Sequence, residues 1–306
     1  MTVFLEEVDG DVPLFDPIEN PTGGYAHAAD MPTRWRVDFS SSDNDAMLLL
    51  EASEWPEVTG TIRTTTGDYG YLSGSFEGDR LRLATFDGAH AFLFDATLNE
   101  AGELVGDFWS GNHWHETWTA TPDADMELPD PFTLTKWVGG VPLSDIRFPD
   151  VDGNVRSLAD PEFAGDVRII EVFGTWCPNC RDATRELVEL KNRYERRGTI
   201  SIVGLAFEVT GDFETDAARV KAYSEQMGVT WPVLIAGTND KADASEKFPL
   251  IDKIRSYPTT IFMDASGVVH AVHQGFNGPA TGEAYEKQQA EFHKIIDGIL
   301  RTKHIR

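Results

Sequence analysis

The chain has 306 residues, of which 41% are hydrophobic and 11% aromatic, enough for packed cores and too much for a disordered chain. Its net charge of −25 is lopsided: residues 1–130 carry 26 acids against five arginines and no lysine, while residues 131–306 carry 25 acids against 21 bases. A surface of that sign repels phosphate backbones and argues against a nucleic-acid partner, and no apolar run approaches the ~18 residues of a membrane span. The N-terminal "MTVFLEEVDGDVPLF" lacks the basic flank and long apolar stretch of a signal peptide. The expectation is a chain that stays in the cytosol or one whose signal has been removed.

Residues 1–30 have weak patterning with several Gly and Pro and are expected to form an irregular lead-in. From 31 to 122, runs of β-formers recur about every ten residues: "RWRVDFS", "AMLLLEA", "VTGTIRTT", "YGYLSGSFE", "RLRLATF", "HAFLFDATL", "ELVGDFW" and "HWHETWTA". Turn signals fall between them at Ser42-Asp43-Asn44, Gly67-Asp68, Gly78-Asp79, Asp87-Gly88, Asn99 to Gly102 and Gly111-Asn112. Phe92, Phe94, Ala96 and Leu98 would share one face. The pattern predicts an antiparallel meander of seven or eight strands, and closure into a small barrel would remove its exposed edges. His113 and His115 point the same way on a strand, but with no Cys nearby they read as polar wall residues and no metal is assigned. Phe108, Trp109, Trp114 and Trp118 read as barrel core and rim.

"TPDADMELPDPF", residues 121–132, is proline-rich, acidic and without periodicity. It places a linker at 123–140 and a second domain at 141–306. There the pattern changes. The apolar strand "VRIIEVF" (167–173) leads directly to "GTWCPNC", which holds the only two cysteines. A helix follows with Ala183, Leu187, Leu190 and Tyr194 on one face, ending at Gly198. Next come the strand "ISIVGLAF", a helix over 213–227, "WPVLIAG", a short helical piece, the strands "TTIFMDA" and "VVHAVHQ", and a helix from about 281 to 301. Strands alternating with helices predict a mixed sheet flanked by helices, an α/β domain.

A strand running into Trp-Cys-x-x-Cys at a helix start, with a later Tyr-Pro-Thr before a strand, resembles the thioredoxin superfamily. "FPDVDGNVRSLAD", "WCPNC" and "SYPTTIFMDASGVV" look like the TlpA/ResA-like thiol-disulfide oxidoreductases, and the resemblance spans residues 141–301. The β half, with "TTTGDY", "FDGAHAF" and "FWSGNHW", is similar to extensions that precede some TlpA-like domains.

Chemistry and resemblance agree on the cysteines. Pro178 suits the first helical position, and the positive end of the helix favours a thiolate at Cys177. That thiolate would attack a disulfide, and Cys180, one turn on, would resolve the mixed disulfide. A structural disulfide and half of a zinc site are the alternatives, the latter lacking a second ligand pair. Glu171, a carboxylate inside a buried strand, occupies the place where the thioredoxin pattern has the acid that takes the proton from the second cysteine. Many TlpA-like members carry Glu three residues after that cysteine, where this chain has Ala183. The resemblance makes Pro258 the cis-proline of the fold, makes Tyr257 a strand-like docking edge, and has Trp176 shield the thiol. Glu208, at a strand end, is a further candidate. No cofactor beyond the Cys177–Cys180 couple is implied. The implied partners are a disulfide-bearing protein substrate and an upstream thiol reductant, and the family favours an extracytoplasmic location over a cytoplasmic one. A binding or adaptor protein with dispensable thiols is the alternative reading. A thiol peroxidase is a lesser one, since Gly174 and Ile170 stand where its Thr or Ser and its Pro would be.

Overall fold

The computed structural model describes Tyr25, residues 30–52 and residues 55–303. The lead-in expected over residues 1–30 falls almost wholly outside the described residues. In the first half the strands are β1 Arg34–Phe39, β2 Ser42–Ala52, β3 Glu57–Thr64, β4 Gly67–Asp68, β5 Leu72–Glu77, β6 Arg80–Phe86, β7 Ala91–Leu98, β8 Leu104–Ser110 and β9 Trp114–Pro122. All pairings are antiparallel. β1 bonds to β9 and β2 bonds back to β3, so eight strands close into a barrel, and β4 is a two-residue addition on β3.

Alternation explains the barrel's core. Trp35 and Val37, Leu81 and Leu83, Phe94 and Ala96, and Phe108 and Trp118 are all buried inside, with polar neighbours outward. Phe94 stacks on Phe108 with centroids 4.4 Å apart, and Trp118 meets Phe94 edge-on. Each fully buried aromatic stabilises the fold by roughly 2–3 kcal/mol. Trp114 remains 48% exposed at the rim. His115 bonds Asp107 at 2.7 Å and stacks on Trp109. Two turn readings need correction. The first turn lies at Ser40–Ser41, and Ser42–Asn44 already belong to β2, because Phe39 pairs with Ser42. The second lies at Thr65–Thr66, and Gly67 and Asp68 are paired residues of β4.

The second half contains α1 Pro131–Leu134, the hairpin β10 Arg147–Pro149 and β11 Val155–Ser157, then β12 Val167–Phe173, α2 Pro178–Tyr194, β13 Ile200–Glu208, α3 Phe213–Met227, β14 Val233–Thr238, α4 Lys241–Lys247, β15 Thr259–Asp264, β16 Val269–Gln274 and α5 Glu283–Lys303. The sheet order is β14-β13-β12-β15-β16, with β12, β13 and β14 parallel and the last two antiparallel. β12 and β13 are buried on both faces, which is why they read as continuous apolar runs. α2 buries Ala183, Leu187, Leu190 and Tyr194 as its spacing predicts, but ends at Tyr194, four residues before Gly198.

The stretch read as a linker is packed at both ends. Met126 is buried and its carbonyl accepts from Arg34. Thr135 donates to Gln274 of β16 at 2.7 Å, Val138 N–H bonds Leu250, and Phe132 lies edge-on against His273. His273, enclosed by Phe132 and Phe292, has its pKa lowered to about 4 by burial.

Candidate active site

The site forms where β12 gives way to α2. Phe173 is the last residue of β12 and the chain turns through Gly174–Trp176, with Cys177 N–H bonded to the Gly174 carbonyl at 3.1 Å. Cys177 is the N-cap of α2. Its sulfur accepts the Cys180 N–H at 3.3 Å, and Pro178 follows at the first helical position. The Cys177 thiol also lies 3.4 Å from the Tyr257 carbonyl, and the Tyr257–Pro258 peptide is cis. Both cysteines are free thiols. Cys177 is 6% exposed and Cys180 is fully buried. Burial pushes the Cys180 thiol well up, and its hydrogen bond with Cys177 and the Cys177 charge push it further. Cys180 therefore needs a proton acceptor before it can act as a nucleophile.

Glu171 is a buried acid on β12 within electrostatic reach of Cys180. It is 1% exposed, and burial raises its pKa to about 8 against the pull of one hydrogen bond from Thr184. Its Oε2 has no hydrogen-bond partner among the described residues, and its charge is felt at Cys180. Thr184 in turn accepts from the Tyr223 hydroxyl at 2.8 Å, forming a chain from α3 through α2 to Glu171. The sequence reading missed this pair. Thr184 lies four residues after Cys180, hence on the same helix face, and that spacing was the available signal.

The mouth of the site is fixed by polar bonds. Trp176 donates its indole N–H to the Phe207 carbonyl at 2.9 Å and meets Tyr257 edge-on at 5.6 Å. Glu208 is fully buried. Both its oxygens bind Thr175, one accepting the backbone N–H at 2.8 Å and the other the hydroxyl at 2.7 Å. Glu208 thus holds the turn that carries Trp176 and Cys177, and it faces Thr175 rather than either sulfur. Lys241, the first residue of α4, lies within electrostatic reach of Cys177: partial burial lowers its pKa and the Cys177 charge opposes that fall. Among the described residues no group of three or more His, Cys, Asp or Glu is arranged to hold a metal.

The barrel also reaches this site. Asn179, between the cysteines, accepts the Asp68 N–H and donates to the Asp68 carbonyl, both at 3.1 Å. Ser256 donates to the Thr66 carbonyl at 2.9 Å, and Gln274 to the Thr65 carbonyl at 3.1 Å. The Asp68 carboxylate, its pKa raised to about 6 by burial, accepts the N–H groups of Gly278 and Gly70.

The AhpC/TSA family matches residues 140–272. A thioredoxin-like protein, YneN, of Bacillus subtilis is 26% identical over 136 residues, 44% of this chain and 71% of its own. A thiol:disulfide interchange protein, DsbE, of Pseudomonas aeruginosa is 26% identical over 140 residues, 46% of this chain and 68% of its own. A hypothetical protein of Sinorhizobium meliloti superposes with a TM-score of 0.43 at 17% identity, covering 55% of this chain and 86% of its own. Residues 140–272 thus form a thioredoxin-like domain that matches the AhpC/TSA family and is related to the ResA and DsbE oxidoreductases, preceded here by an eight-stranded β-barrel.

Proposed function

We propose that this chain is a thiol-disulfide oxidoreductase that reduces protein disulfides with Cys177 as the attacking thiol and Cys180 as the resolving one. The observation that carries the reading is the placement of the pair. Cys177 caps a helix at the mouth of the site beside Tyr257–Pro258, and Cys180 is fully buried within electrostatic reach of Glu171, one of whose carboxylate oxygens has no hydrogen-bond partner among the described residues.

The Cys177 thiolate attacks one sulfur of the substrate disulfide, forms a Cys177–substrate disulfide and releases the other substrate sulfur as a thiolate, which takes a proton from water. Glu171 in its ionised form takes the Cys180 proton. The Cys180 thiolate then attacks the Cys177 sulfur, and the substrate's second sulfur leaves as a thiolate that takes a proton from water. Two electrons pass from the Cys177–Cys180 pair to the substrate, and the pair is left as a disulfide. An upstream dithiol reverses that oxidation by the same exchange. Thr184 and Tyr223 hold the Glu171 carboxyl in place, and Glu208 holds the Cys177 turn.

Among the described residues no helix is long and apolar enough to cross a membrane. An extracytoplasmic location suits the reaction, because protein disulfides persist there. The test is turnover of a disulfide-bearing protein by the reduced chain, together with the potential of the couple. Cys177→Ser should abolish turnover, and a potential near about −270 mV marks a reductant whereas one near about −120 mV marks an oxidant. A Cys177→Ser chain that still exchanges disulfides refutes the assignment.

A further inference from the structure

Three segments frame Cys177: the Pro178–Asn179 dipeptide, the Ser256–Tyr257 edge, and the end of β16 with the turn after it. The β3–β4 hairpin touches all three. Asn179 pairs with both backbone groups of Asp68, as a neighbouring strand would. Ser256 and Gln274 bond the carbonyls of Thr66 and Thr65 at the hairpin tip. Beyond β16, Gly278 N–H bonds the Asp68 carboxylate at 2.5 Å, and Asn277 accepts from Arg63 at 3.2 Å.

Two glycines show how close the fit is. A Cβ on Gly67 would stand 2.4 Å from the Asn179 amide nitrogen. One on Gly275, whose φ is +72°, would stand 2.7 Å from the Thr66 carbonyl oxygen. These bonds join residues 111 to 214 positions apart, and they are polar and directional. The hairpin is therefore seated in the groove by a specific set of partners.

Ser256 is the residue next to Tyr257, whose carbonyl lies 3.4 Å from the Cys177 sulfur. An extended chain with its cystine sulfur at Cys177 needs ~7 Å of clear groove for two residues on each side. On the Ser256 side Thr66 is already seated, its carbonyl accepting the Ser256 hydroxyl at 2.9 Å. We propose that the β3–β4 hairpin is a specificity wall of the dithiol site: Cys177 accepts disulfides that stand clear of their own chain and rejects those embedded in an extended segment. This rests on the oxidoreductase reading above and narrows its substrate class.

The experiment compares two disulfides, bis(2-hydroxyethyl) disulfide and a linear peptide whose single cysteine is capped as the hydroxyethyl mixed disulfide. Rates are normalised to those of free dithiothreitol. The wild-type chain should favour the small disulfide by about tenfold or more in kcat/KM. Asp68→Ala removes the acceptor for Gly278, and Gly67→Val drives a side chain into Asn179. Both should speed reduction of the peptide at least about fivefold and leave the small disulfide within about twofold. Absence of any preference in the wild-type chain overturns the proposal, and so does a preference that both variants leave unchanged. If neither disulfide is reduced by any of the chains, the oxidoreductase reading fails. The wall is then judged by alkylation of Cys177, with iodoacetamide against a peptide-borne maleimide. Preferential reaction with the small reagent upholds it and equal normalised rates overturn it.

Discussion

Replacing Glu171 with Gln should make the protein more stable and a poorer catalyst at once. Folded Glu171 keeps its proton up to about pH 8, whereas the unfolded chain releases it near the ordinary value of 4.5. The unfolded state therefore binds fewer protons between those values, and stability falls as pH rises across that window. At 1.36 kcal/mol per pH unit the loss reaches about 3 kcal/mol at pH 7. Gln does not titrate. Allowing for an amide that finds only Thr184 as a partner, Glu171→Gln should be about 2 kcal/mol more stable at pH 7 and nearly equal to wild type at pH 4.5. Catalysis moves the other way. Only the ionised carboxylate can take the Cys180 proton, and its population rises from about 1% at pH 6 to half at pH 8, so the resolving step should accelerate about fifty-fold over that range. In Glu171→Gln that rise should vanish and the step should be ~100-fold slower at pH 8. Reaction with dithiobis(nitrobenzoate) separates the steps, the first equivalent of chromophore reporting attack by Cys177 and the second reporting resolution by Cys180. Urea titrations at the two pH values give the stabilities. Equal slowing of both phases, or a variant that loses stability at pH 7, refutes the reasoning.

Oxidation of the purified chain should give an intramolecular Cys177–Cys180 disulfide that dithiols reverse, and mass spectrometry showing two persistent free thiols contradicts it. Glu208→Ala leaves the Thr175 N–H and hydroxyl without their acceptor and should slow the first phase about tenfold by loosening the turn before Cys177. Glu208→Gln should recover most of that rate, and an unaffected Ala variant shows that the turn holds itself. A chain beginning at residue 129 should fold and reduce the small disulfide, whereas one beginning at 138 should be about 2 kcal/mol less stable, because it lacks Phe132 against His273 and the Thr135 bond to Gln274. Equal melting temperatures of the two chains would show that α1 contributes nothing.

Much of this architecture was legible because it is written in local periodicity. The alternation in "HAFLFDATL" and the unbroken apolar runs of β12 and β13 report burial on one face or on two. The cysteine pair, Glu171 and Pro258 were legible as a pattern along the chain, and the structure gathers them around one helix start. Glu208 was noticed for its place at a strand end, but its partner, Thr175, lies 33 residues away and no local signal joins them. The seat of the barrel on the site was not legible for the same reason. Gly67 and Asp68 read as ordinary turn chemistry, and only tertiary placement gives the hairpin Asn179, Ser256 and Gln274 as partners. The hairpin that carries Gly67 and Asp68 lies against the segments flanking Cys177. Thr184 and Tyr223 were hidden because polar residues on helices usually face water.

The closure of the barrel has a counterpart in the second sheet, and together they bear on self-association. An unpaired strand edge is a template on which another chain can add. Eight barrel strands leave no such edge, since β2 returns to β3. In the second sheet β14 is met by Asp150, which bridges to Leu234, and α1 packs against β16. Among the described residues, then, the barrel leaves no long open edge and the outer strands of the second sheet are partly covered by this chain itself. Two copies at high concentration would meet largely through side chains, and the first half carries a large excess of negative charge. Crowding should therefore leave the folded protein dispersed, and aggregates, where they form, should report unfolding rather than strand exchange between native molecules.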